Sequence, residues 1–164
     1  MADDRVVPSP TPIDWRPVLI GGLVIALADM AFAITVWFSW TAAGFVKVFQ
    51  TIAVGVLGKA SYDGGVGSAL LGAALHLFMA TLFVAAFTWV AQRNRALLRR
   101  PFVMGPAYGV LLYVVMNFVV MPLSRVGASP SFNHLDWITW SVIAHMVFGT
   151  VCVLCARRAL RYIG

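Results

Sequence analysis

Four strongly polar side chains stand one by one inside long apolar runs: Asp29, His76, Asn117 and His145. A carboxylate and two imidazoles are groups that exchange protons near neutral pH or ligate a metal. An Asp at the centre of a membrane helix costs about 2.5–3.5 kcal/mol on insertion scales, so it turns inward and marks a functional site by default. Tyr113, one helical turn before Asn117, is a fifth candidate for the same layer. The bland alternative is cross-helix hydrogen bonding, which averages about 0.6 kcal/mol per bond in membrane proteins. It suits Asn117 and Tyr113 better than Asp29, where a neutral residue would pack at lower cost.

Three kinds of function fit this pattern. In the first, the Asp/His/Asn layer carries protons or binds a small solute or ion. In the second, His76 and His145 are axial ligands to a b-type haem, or hold a divalent metal together with Asp29. In the third, the chain is an accessory subunit of a larger membrane complex. None of these predicts a hydrolase or transferase: there is no nucleophile–base pair, no phosphate-binding Gly loop and no acidic pair. Cys152 and Cys155 form a CVLC motif within an apolar run, and packing accounts for them.

The elements that must position these groups are membrane helices. The chain has 164 residues, of which 61% are hydrophobic and 11% charged. Its mean hydropathy is +0.88. This excludes a disordered chain and an ordinary soluble domain. Four runs are long enough to span, about 18–40, 66–91, 102–123 and 137–156. Each carries its polar residue on a stripe of small ones: Gly22, Ala26, Asp29, Ala33; Ser68, Gly72, His76, Ala80; Gly105, Gly109, Tyr113, Asn117; Ser141, His145, Gly149. Small residues let helix backbones approach closely in lipid. At 1.5 Å per residue, Asp29 lies at mid-span, His76 and His145 within about 4 Å of it, and Asn117 about 7 Å toward the outer side.

Basic residues set the orientation. Arg5, Arg16, Arg93, Arg95, Arg99, Arg100, Arg157, Arg158 and Arg161 share one side; Lys47, Lys59 and Arg125 share the other. That bias places both termini in the cytoplasm. Trp15, Trp37, Trp40, Trp89, Trp137 and Trp140 fall near span ends, as an aromatic belt requires. The net charge of +6 reflects topology and contact with anionic headgroups, Arg93, Arg95, Arg99 and Arg100 above all, rather than nucleic acid. Segment 43–60 reads as too short and too polar to span. Phe45, Phe49, Ile52 and Val56 form its apolar face, and it is expected as an interfacial or re-entrant helix, or a connector packed on the bundle. The expected fold is an all-α polytopic four-transmembrane-helix bundle over 18–157 with this extra helix, a flexible cytoplasmic tail at 1–17 and a basic tail at 158–164. The bilayer is the assured partner, and a homo-oligomer or larger complex is open.

VFQTIAVGVLG at 48–58, LLGAALHLFMA at 70–80, MNFVVMPLS at 116–124 and HMVFG at 145–149 resemble a group of small bacterial inner-membrane proteins with four helices. That group has a His in its second helix and another in its fourth. The layout is more loosely similar to the YagU-type family. The resemblance would cover about residues 18–160 and implies a fold and a bacterial cytoplasmic membrane, but no chemistry.

Overall fold

The computed structural model describes residues 12–38, 40–127 and 135–162. No backbone group can stay unpaired in lipid, so apolar runs of this length become helices. The long helices are α1 (Trp15–Trp37), α2 (Ala42–Leu57), α3 (Gly65–Arg93), α4 (Pro101–Val115) and α6 (Leu135–Ala159); α5 (Met121–Leu123) is a single turn. A 3-10 turn, Gly58–Asp63, joins α2 to α3, and a π-helical turn, Met116–Val120, joins α4 to α5. Five stretches are long and apolar enough to cross a membrane: Trp15–Trp37, Ala42–Asp63, Gly65–Arg93, Pro101–Leu123 and Leu135–Ala159. The chain is an all-helical membrane protein, and its outward faces carry apolar side chains such as Leu19, Leu23, Leu27 and Phe102.

Close contacts fix how the helices run. Gly22 of α1 meets Thr81 of α3, and the Ala26 carbonyl four residues on meets His76, so α1 and α3 are antiparallel. The Asp14 amide donates to the Ala159 carbonyl at 3.0 Å, and Gly21 meets Cys155, so α1 and α6 are antiparallel too. Gly105 packs on Thr150 and Gly109 on the backbone at His145, which sets α4 antiparallel to α6. At this last crossing a methyl group on Gly109 would overlap the His145 carbonyl, and one on Gly149 would overlap that of Gly105. The small-residue stripes are therefore the helix–helix seams, as lipid-phase packing demands.

Three sequence expectations need correction. Trp15, Arg16 and Pro17, read as the end of a tail, belong to α1, whose first turn is capped by the Asp14 carboxylate accepting from the Arg16 amide at 3.0 Å. Arg158 likewise still belongs to α6. Segment 43–60, read as too short and too polar, forms with its 3-10 turn a 22-residue stretch that contains an 18-residue window of mean hydropathy 1.3, which meets the length and apolarity of a span. Its packed face also differs. Gly44, Val48, Gln50, Ala53 and Val54 are buried, whereas Phe45 and Val56 are 37% and 50% exposed. Residues 1–11, the loop around Pro130 and residues 163–164 lie outside the described residues.

The interior has two apolar clusters. One joins α1, α3, α4 and α6 through Val18, Ile25, Val84, Phe87, Leu112, Phe148 and Val153. The other joins α1 to α2 through Met30, Ile34 and Val48. The polar residues of mid-span sit where the first cluster ends.

Candidate functional site

Asp29 and His76 meet across the α1–α3 seam. The Asp29 Oδ2 lies 3.8 Å from His76 Nε2, an ion-pair distance rather than a hydrogen bond. The same Nε2 lies 3.0 Å from the Ala26 carbonyl. A carbonyl only accepts, so Nε2 carries the proton and donates. The two side chains differ in access, with His76 14% exposed and Asp29 35%. Asp29 is the reachable group, and His76 stands behind it.

His145 arrives from α6. Its Nδ1 is 2.7 Å from the Ser141 carbonyl one turn earlier, so Nδ1 donates and Nε2 is the acceptor of the neutral ring. Tyr113 packs edge-on against the imidazole at 5.5 Å between centroids, and Phe148 lies at 5.8 Å on a tilt. The tight α4–α6 crossing at Gly109 brings Tyr113 this close. Asp29, His76 and His145 line one cavity of about 70 Å³, walled by Ile25, Met79, Phe83 and Met116. A space of that size holds a few waters.

Three of the five expected residues thus converge. Tyr113 supports the His145 ring without lining the cavity. Asn117 is not brought in: its amide donates to the Tyr113 carbonyl of its own helix at 2.9 Å. From α4 and the π-helical turn after it the cavity is lined by Leu112 and Met116, so the stripe of Gly105, Gly109, Tyr113 and Asn117 passes beside it. Cys152 is buried and Cys155 half-buried against Gly21; both thiols are unbridged, as packing residues. Arg93 lies over the Trp89 ring at 3.7 Å, Arg95 donates to the Leu160 carbonyl at 3.5 Å, and Arg99 and Arg100 are exposed.

A second polar cluster was not anticipated. The Gln50 amide donates to the Gly65 carbonyl at 3.1 Å and lies 3.4 Å from both the Tyr62 carbonyl and Ser68 Oγ. Ser61 Oγ donates to the Gln50 carbonyl and Ser68 Oγ to the Ser61 carbonyl, both at 2.6 Å. The signal was Gln50 between Phe49 and Ile52, beside an apolar face. These groups satisfy one another and hold the α2–α3 corner, so the knot is structural.

Between His76 and His145 the cavity measures about 70 Å³, and Nε2 of His76 faces the Ala26 carbonyl. Among the described residues no group of three or more His, Cys, Asp or Glu side chains stands close enough together to hold a metal ion. No family model, curated protein or solved structure matches the chain.

Proposed function

We propose that this is a four-crossing membrane protein whose Asp29–His76–His145 cluster takes up and passes protons within the bundle. One observation carries the reading: a carboxylate, a partnering imidazole at 3.8 Å and a second imidazole share one cavity of about 70 Å³, in the middle of helices long and apolar enough to span. Such groups are costly there, and Asp–His chains are the usual parts of proton relays. Asp29, the more exposed group, receives or releases the proton. His76 and His145 hold it inside, where the neutral and charged rings differ by one N–H.

Helix direction supports the four-crossing topology. Since α1 and α3 run antiparallel, the segment between them leaves and returns on one side. On this reading α2 does not cross, although it is long enough. α3 is about 44 Å long against a hydrocarbon core of about 30 Å, so its Gly65 end reaches the interface and carries the α2 corner with it. The Arg-rich ends of α3 and α6 then face the cytoplasm, in a bacterial inner membrane if the sequence resemblance holds. A bundle this small offers no transport pathway of its own between repeats, which points to an oligomer.

The test is a proton-flux assay on the full chain in liposomes carrying an internal pH dye, with a potassium gradient and valinomycin as drive. The reading predicts acidification above that of empty liposomes, lost in Asp29→Asn at equal protein content. Flux that is absent in the wild type, or unchanged in Asp29→Asn, overturns it.

A further inference from the structure

The C-terminal end of α6 holds a basic cleft that the proton reading does not use. It has a volume of about 340 Å³ and is lined by Leu154, Arg157, Arg158, Arg161 and Tyr162. The backbone builds it. The Tyr162 amide donates to the Arg157 carbonyl at 2.8 Å, and the Arg161 amide to the Arg158 carbonyl at 3.1 Å. This is the paired closure of a Schellman motif, whose left-handed position is normally glycine. Here that position is Arg161, with φ at +48°. A bulky cation kept where glycine would be relaxed points to a use for its side chain.

The surroundings say what kind of ligand fits. Arg157 lies over the Tyr162 ring at 5.4 Å, which restrains its guanidinium. Among the described residues no acid lines this cleft. Arg161 also borders a neighbouring cleft with Arg16 and Asp14, but the Asp14 carboxylate is engaged as the cap of α1. Below the arginines, Leu154, Val147 and Ile143 form an exposed apolar track along one face of α6. A cationic fork above an apolar track matches a charged head joined to a hydrocarbon tail.

We propose that this cleft binds the phosphate of an anionic phospholipid, with one acyl chain lying along Leu154, Val147 and Ile143. Guanidinium groups grip phosphate oxygens by paired N–H donors, which a zwitterionic headgroup rewards less because its own ammonium opposes the arginines. The track selects a lipid over a free phosphate, since inorganic phosphate gains nothing from it.

The test titrates a fluorescent-tailed phosphatidylglycerol into the full chain in neutral detergent, read by anisotropy. Phosphatidylcholine with the same tail is the comparison and inorganic phosphate the competitor. The wild type is expected to prefer phosphatidylglycerol by about tenfold or more. Arg157→Gln/Arg158→Gln/Arg161→Gly is expected to remove that preference, while Arg93→Gln/Arg99→Gln/Arg100→Gln keeps it. Arg161→Gly alone preserves the helix end and is expected to weaken binding about threefold to fivefold, which covers the case of a misfolded triple variant. Equal binding of the two lipids, an unchanged preference in the first triple and in Arg161→Gly, or full displacement by inorganic phosphate overturns the proposal.

Discussion

Replacing Asp29 by Asn removes a titratable group and keeps its size, whereas replacing Gly109 by Ala leaves the chemistry alone and pushes α4 off α6. The second change forces a methyl group into the His145 carbonyl. Overpacking of this kind costs about 1–3 kcal/mol, so Gly109→Ala is expected to lower the melting temperature in detergent. An unchanged melt would mean that α4 and α6 have slack at this crossing. Arg161→Gly runs the other way. It relieves a left-handed conformation that costs a non-glycine residue about 1 kcal/mol, and the variant is expected to melt at or above the wild-type temperature. At this scale the sequence was readable where a polar residue and its small neighbours share one unbroken helix. Asp29, His76 and His145 meet for that reason. Asn117 does not, because the face that lines the cavity is that of Leu112 and Met116, one position over. Neither of those residues carries a polar group that would mark that face.

The element least legible in the sequence is α2. In water an apolar face turns inward, but lipid is as apolar as leucine, so a hydrophobic stripe does not say which way it faces. Phe45 and Val56 face outward, and Gln50 is the buried side chain. Gln50→Leu would remove the amide that donates to the Gly65 carbonyl, which keeps Ser68 Oγ at 3.1 Å as a donor. A lost hydrogen bond of this kind costs about 0.5–1.5 kcal/mol, and a matching loss of thermal stability in detergent is expected. If the variant melts like the wild type, the corner is held by the serines alone. Helix direction makes a sharper prediction for α2. Lys47→Cys and Lys59→Cys, in a background with Cys152 and Cys155 replaced by Ala, are both expected to react with an impermeant maleimide from one face of the membrane, and Arg99→Cys from the opposite face. Labelling of positions 47 and 59 from opposite faces would make α2 a fifth crossing and would reverse the inferred direction of α3.

For the whole molecule, charge and cavity belong to one plan. Arg93, Arg95, Arg99, Arg100, Arg157, Arg158 and Arg161 gather at one end of the bundle, where Arg95 reaches Leu160 and Arg161 closes α6. The mid-span cavity lies beyond the main apolar cluster, which fills the Arg-rich half with Val84, Phe87, Val153 and Leu98. Packed side chains therefore separate Asp29 and His76 from the Arg-rich end. The cavity stands closer to the end capped by α2, where Met79 and Met116 separate it from an apolar groove against Ile52 and Val54. Composition and charge bias made the membrane setting legible from the sequence. The thickness of the apolar plug and the place of α2 depend on contacts between distant segments, which no local pattern encodes.

Proton flux in liposomes, compared across four single variants, tests the central claim most directly. Asp29→Asn, His76→Gln and His145→Gln each keep a polar side chain and lose a titratable one; Asn117→Ala alters the layer residue that stands outside the cavity. The structure predicts that the first three abolish or strongly reduce flux and that Asn117→Ala retains it. Equal loss in all four, or wild-type flux in His76→Gln and His145→Gln, would contradict a relay built from Asp29, His76 and His145.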